Sequence, residues 1–490
     1  MKGARSRVLA VCLAGGLTTM LDNSVLNIAV PALRSSLHAG ATQVQWLVAG
    51  YSLAFGLALI PGGRLGDERG RKPFFVAGIA LFFAAGLLAS TVRVPELLVL
   101  LRLLQGAGAG LVNSQMIGTI QDVFTGPERT RALGLYQVTC AVGIALGPPI
   151  GGALIAAAGP DWGWRLAFLV SAPSGLATLI LAVRHLPPAR RSAGRADLDP
   201  VGLLLVGAMT LAVMLPFIQP SSGTRKLLWA LAACALAGLF LLWQRRYAAT
   251  GHRPLLHPAL ARSAPYALGT VVAMGQFGAS LASALVLVMF LQDGLGLSPL
   301  AAAAVTLPSA LAMAGVSAVA WRVVQRIGRH VVALGLALAV LALLLSGLAG
   351  RYAPVGWLPL VLAVGQLCSG AASGLSVSPN QAAVLRHAPA EAAGVAGGIL
   401  QMSQRIAGAV AVSAVSGVYL HGAAGPGADP RSAYWHAVLA CTALVALSLT
   451  LAVLTGRRTP LPTGSRTPSA RTGPGTAAGT ARAASEGAEV

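Results

Sequence analysis

Charge is scarce in this chain, and acid scarcer still. Only 10% of its 490 residues are charged, and 14 are Asp or Glu. A soluble domain of ordinary composition carries about 25% charged residues, so that class is excluded. Aromatic residues make up only 5% and form no stacking platform among the basic ones, so the net charge of +21 does not mark a nucleic-acid binder. The five cysteines (Cys12, Cys140, Cys234, Cys368, Cys441) stand singly within apolar runs. Such spacing gives neither a disulfide framework nor a thiolate metal centre. His185, His252, His257 and His387 lie in loops and form no ligand cluster. An HExxH-like pair, an activated Ser or Cys setting and a phosphate-binding glycine loop are all missing. These absences argue against an enzyme and against ATP-driven work, and no cofactor or metal is expected.

What the chain has is apolar length. Hydrophobic residues make up 56% of it, and it contains 59 glycines. Runs of roughly 20 apolar residues, enough to cross a ~30 Å hydrocarbon core, recur along it. They are continuous rather than alternating, which excludes a membrane barrel and leaves an all-α polytopic membrane protein. The pattern predicts fourteen spans: 8–30, 44–63, 73–92, 95–120, 131–158, 164–186, 199–218, 226–244, 265–290, 300–320, 330–350, 355–378, 393–420 and 432–455. The first is too long, and lacks the cleavage pattern, for a signal peptide.

Basic residues orient the spans. With the N-terminus inside, inner segments hold 26 Lys and Arg and outer loops seven, while Arg102 and Arg405 lie within spans, accounting for all 35. By the positive-inside rule both termini are cytoplasmic. A repeat divides the chain. Arg64, Gly70 and Arg71 after span two match Arg322, Gly328 and Arg329 after span ten at a constant offset of 258 residues. Six spans per half plus an inserted pair give that offset. The expected units are a cytoplasmic N-terminus (1–7), a six-helix bundle (8–186), a linker with two inserted helices (187–264), a second six-helix bundle (265–455) and a disordered cytoplasmic tail (456–490).

Unusual residues concentrate in five stretches. Span one reads Leu21-Asp22-Asn23-Ser24-Val25-Leu26-Asn27-Ile28-Ala29-Val30-Pro31, with Thr18, Thr19 and Asp22 within about one turn. Span four reads Arg102-Leu103-Leu104-Gln105-Gly106-Ala107-Gly108-Ala109-Gly110, placing Arg102, Gln105, Ala109 and Asn113 on one face. Span five carries Gly134, Gly143, Gly147-Pro148 and Gly151-Gly152 in the pattern G(x)8G(x)3GP(x)2GG. Its glycines four apart permit close backbone approach, and Pro148 removes one helix hydrogen bond. The loop from Gly63 to Lys72 holds Asp67, Gly70 and Arg71, and a late helix reads Gln401-Met402-Ser403-Gln404-Arg405-Ile406-Ala407-Gly408.

These stretches resemble the fourteen-span drug:proton antiporters of the major facilitator superfamily, the QacA/EmrB-like group, over about residues 8–455. The resemblance implies a major facilitator fold of two six-helix bundles plus two inserted helices. It also implies proton-driven export of small, amphipathic organic compounds such as drugs or antibiotics, by a monomer surrounded by membrane lipids. The span-five motif is the one associated with export, and Asp67 is the counterpart of a residue that braces the two halves at a cytoplasmic gate formed by Gly63, Asp67, Gly70, Arg71 and Lys72. Glu68 departs from the family pattern, which has a basic residue there. An importer or facilitator on the same fold is the alternative.

Depth singles out one pair. Asp22 lies ~12 Å and Arg102 ~10 Å from the outer ends of their spans at 1.5 Å per residue. A buried carboxylate and guanidinium at one level make a proton-coupling pair, with helix packing by Asp22 and carbonyl capping by Arg102 as the structural alternatives. Candidates for the cavity wall are Thr18, Thr19, Asn23, Trp46, Tyr51, Gln105, Asn113, Gln276, Gln401, Gln404 and Arg405. Trp46 and Tyr51, near a span end, suit an interfacial belt better than a ligand contact. Arg405 either meets an anionic substrate group or caps freed carbonyls.

Overall fold

The computed structural model describes residues 2–188, 197–219, 223–328, 330–388, 393–423 and 428–458. Most of the expected tail, the centre of the 187–198 linker and Arg329 of the repeat lie outside these residues. The first half contains α1 (Lys2–Ser36), α2 (Ala41–Arg69), α3 (Arg71–Ala89), α4 (Pro95–Val123), α5 (Gly126–Leu169) and α6 (Ser171–His185). Next come α7 (Pro200–Ile218), α8 (Gly223–Ala249) and the short α9 (Pro258–Arg262). The second half contains α10 (Ala264–Met289), α11 (Pro299–Ile327), α12 (His330–Tyr352), α13 (Leu358–Arg386), α14 (Ala393–Gly422) and α15 (Pro430–Arg458).

Local sequence sets the ends of these helices. Proline opens α4, α7 and α11, where its missing N–H costs nothing. Ser298 caps α11 by accepting from the Ala301 N–H at 3.2 Å. Between α2 and α3 the backbone turns at Gly70 with φ 90°, and α11 ends at Gly328 with φ 57°. A side chain is disfavoured at such angles, so the two glycines matched at offset 258 share a positive φ.

Among the described residues, twelve segments are long and apolar enough to cross a bilayer by length and composition, against fourteen expected from the sequence. Two features underlie the difference. Residues 131–185 form one stretch of 55 residues, although the backbone leaves helical angles at Gly159 (φ 75°, ψ 173°), between expected spans five and six. Helix α14, 30 residues long, is not among the twelve; it carries Gln401, Gln404 and Arg405.

Helices α1–α6 pack chiefly on one another, with α1 along α5 and α2 along α4; α10–α15 do likewise. Helix α7 lies against α2, α14 and α8, and α8 buries only Gln244. The inserted helices therefore flank the molecule. They are tied down at one end. Asp199, fully buried, caps α7 and accepts from Gly202 N (2.9 Å), Trp243 Nε1 (2.7 Å), Gln244 Nε2 (2.6 Å) and Leu255 N (3.1 Å). Arg64 donates to the carbonyls of Asp197, Arg253 and Pro254 at 2.6–2.9 Å. Burial pushes the Asp197 carboxyl up, but Tyr247, the Arg253 N–H, His252 and Arg64 outweigh it and hold the group below the usual carboxylate range.

The halves are joined toward the face opposite the chain's start. Arg34 pairs with Asp293 at 3.3 Å, and Gln292 Nε2 donates to the Ile28 carbonyl at 3.0 Å. Gln45 Nε2 reaches the Ser413 carbonyl at 3.4 Å, and Ser52 Oγ the Arg405 carbonyl at 3.0 Å. Gly152 backs onto α11, where an added Cβ would lie 2.9 Å from the Pro299 carbonyl.

Candidate functional site

Glycines bring the first-half helices close enough to build a polar cluster. A Cβ at Gly106 would strike the Tyr51 carbonyl, and one at Gly110 the Phe55 carbonyl, so α4 lies directly on α2. Gly108 faces the other way, 2.8 Å from Gly78 O and Phe82 N of α3 by the same measure. On α5, a Cβ at Gly147 would collide with Ser24 and one at Gly151 with Ile28, while Gly143 abuts the α1 backbone at 3.1 Å. Gly134 has open space and takes no part in this approach. Pro148 cannot donate to the carbonyl four residues before it. That carbonyl, of Ile144, accepts from Ser24 Oγ at 2.7 Å. The proline's lost bond is thus replaced from α1, beside Asp22.

The cluster itself is buried. Asp22 is 2% exposed and Arg102 1%. Arg102 Nη1 donates to Asp22 Oδ2 at 3.1 Å and to Gln105 Oε1 at 2.7 Å. Asp22 Oδ1 accepts from Gln105 Nε2 and from Ser171 Oγ, both at 2.9 Å. The Arg102 guanidinium lies 4.1 Å over the Tyr51 ring, with Phe168 at 5.9 Å. Its Nε reaches the Leu47 carbonyl at 3.4 Å. Both alternatives read for Arg102 are therefore present, the carboxylate pair being the shorter contact. The arrangement can hold a carboxylate in the membrane interior with every partner in place.

Other candidates divide. Thr18 and Thr19 are fully buried and donate to the Ala14 and Gly15 carbonyls of their own helix. Asn113 Nδ2 donates to Tyr136 Oη at 2.8 Å, while its Oδ1 is buried without a partner, as is Tyr51 Oη. Gln276 is spent on Ser376 within the second half. Asn23, Trp46 and Gln401 are part-exposed, and Gln404 is buried. The Arg405 side chain makes no hydrogen bond or ion pair among the described residues. Its guanidinium lies 4.0 Å over the Phe55 ring and 5.3 Å over that of Phe277.

The cluster expected on a loop lies instead on the end of α2 and the start of α3, with Gly70 alone outside helix, and it closes on itself within the first half. Arg71 bridges Asp67 (2.6 Å) and Asp122, and Lys72 donates to the Val183 carbonyl at 2.7 Å. Asp67 does not brace the second half in this structure, because the guanidinium one turn away already holds it. Gly63 has open space around its Cα.

Sequence reasoning missed Ser171, Phe55, Phe277 and Tyr136. Ser171, Ser174 and Thr178 recur on one face of α6, a polar stripe like that of span one, and would have signalled Ser171. The three aromatics stand in apolar runs and give no such signal.

The sequence profile of the Major Facilitator Superfamily matches residues 12–412. The chain is 31% identical over 420 residues to the probable actinorhodin transporter of Streptomyces coelicolor, covering 85% of this chain and 72% of that protein. It is 29% identical over 439 residues to the tetracenomycin C resistance and export protein of Streptomyces glaucescens, covering 85% and 77%. Its fold is similar to a partially occluded, inward-open structure of the Escherichia coli xylose transporter XylE, with a TM-score of 0.63 at 16% identity over 93% of this chain and all of that one.

Proposed function

The chain belongs to the Major Facilitator Superfamily, and on that premise we propose that it exports small organic compounds of the antibiotic or drug class in exchange for protons. The buried Asp22 carboxylate, held by Arg102, Gln105 and Ser171, carries this reading. It is the acid embedded in the membrane interior that can load and release a proton. Substrate leaves on one leg of an alternating-access cycle and a proton returns on the other. The names of the two relatives support the substrate class, and that of the tetracenomycin C protein supports the direction. The span-five glycine pattern supports direction as well.

In this reading the chain crosses the plasma membrane fourteen times, each arm of 131–185 and helix α14 counting as a crossing. Both termini are cytoplasmic, and the protein works as a monomer among lipids. The units are 8–186, the inserted pair within 187–264, and 265–455. The linked face is then external, so the conformation is closed outward. The cluster of Gly63, Asp67, Gly70, Arg71 and Lys72 serves the opposite gate, where Asp67 changes partner when that side closes.

Efflux from a host lacking its own drug exporters tests the proposal. Cells carrying the chain should accumulate less of at least one antibiotic, and a proton uncoupler should abolish the difference. Greater accumulation than in control cells would favour an importer on the same fold.

A further inference from the structure

Arg405 is the one guanidinium within the second-half spans read from the sequence, and its surroundings define what it lacks. Phe55 and Phe277 engage the flat cation at 4.0 and 5.3 Å. Aromatic contacts of this kind occupy the faces of a guanidinium and leave its in-plane N–H donors unspent. No carbonyl or carboxylate among the described residues takes them, so the carbonyl-capping reading of Arg405 finds no support. The nearest embedded acid, Asp22, is already saturated by Arg102, Gln105 and Ser171. Two more polar atoms close by are idle. Tyr51 Oη and Asn113 Oδ1 are buried without partners, and Arg405 lies within electrostatic reach of the Tyr51 and Tyr136 phenols. Buried polar atoms are normally paired.

We propose that Arg405 anchors an organic anion: a planar aromatic substrate whose carboxylate, or ionised phenol or enolate, lies in the guanidinium plane. The Tyr51 hydroxyl donates to the same substrate, and Asn113 Oδ1 accepts from a substrate hydroxyl or amine. The donors come from α14 of one half and α2 of the other, the acceptor from α4, and Ser52 ties α2 to the Arg405 backbone at 3.0 Å. A ligand here would touch both halves.

The inference rests on this interior being the transport site, but its test uses no gradient and no transport. Binding of 9-anthracenecarboxylate and of 9-anthracenemethanol, which share a ring system and differ in charge, is measured by calorimetry on purified protein in detergent. The parent chain should prefer the acid by roughly tenfold to a hundredfold, the range of a charge-assisted hydrogen bond. Arg405→Gln should erase that preference while keeping its affinity for the alcohol within about threefold. Arg405→Lys, which keeps the charge but not the fork, should retain part of the preference, and it decides the matter where the glutamine variant does not fold. Equal affinities in the parent chain, no detectable binding of the acid, or an unchanged preference in both variants overturns the proposal. Acid binding through Arg405 in a chain that then fails the efflux assay would instead indict the export reading.

Discussion

Three side chains hold the two oxygens of Asp22, and one of them, Arg102, is itself braced by Gln105 and by the Tyr51 ring. The pair is worth little as a net source of stability, because both ions lost their hydration on burial. Breaking it from one side is expensive, at about 3–5 kcal/mol. Arg102→Ala should therefore lower the thermal midpoint in detergent clearly. Adding Asp22→Asn to that variant should recover much of the loss, because the stranded charge is then gone. Thermal unfolding of the two single variants and the double variant checks this. Additive losses would mean that the two side chains do not act as a pair. Their shared depth was legible from sequence because helix rise converts residue count into height. Ser171 was harder to see, since a lone serine in an apolar helix is common.

At the scale of helices, α1 and α5 illustrate what a glycine pattern does and does not encode. Gly143, Gly147 and Gly151 let the two backbones meet, and Ser24 repairs the bond lost at Pro148. Gly134 belongs to the same pattern yet faces open space. Gly147→Leu should abolish export while protein remains in the membrane, whereas Gly134→Leu should export within about twofold of the parent chain, as expected of a site with no neighbour to displace. Equal loss in both would show that the pattern matters for something other than this contact. Most helices were readable from apolar length and from prolines at their starts. The break at Gly159 was readable as a gap between spans. The self-contained pairing of Arg71 with Asp67 and Asp122 was not, because the sequence does not say which of two nearby partners a carboxylate takes.

For the whole molecule, the two helical halves meet through Arg34–Asp293, Gln292 and Gln45 on one side, with the Asp22 cluster wholly inside the first half. Arg405 projects from the second half onto Phe55 of the first. The residues matched at a constant offset, Gly70 and Gly328 among them, made the two halves legible. The placement of Arg405 against α2 depends on how the halves dock, which no local pattern records. The account as a whole stands on a proton moving through Asp22 as substrate moves the other way. Proton flux on substrate addition in sealed vesicles, followed with a pH-sensitive dye in the parent chain and in Asp22→Asn, tests this most directly. The parent chain should show substrate-dependent proton movement, and the variant should show none while still binding substrate. Proton movement that persists unchanged in Asp22→Asn would contradict the account.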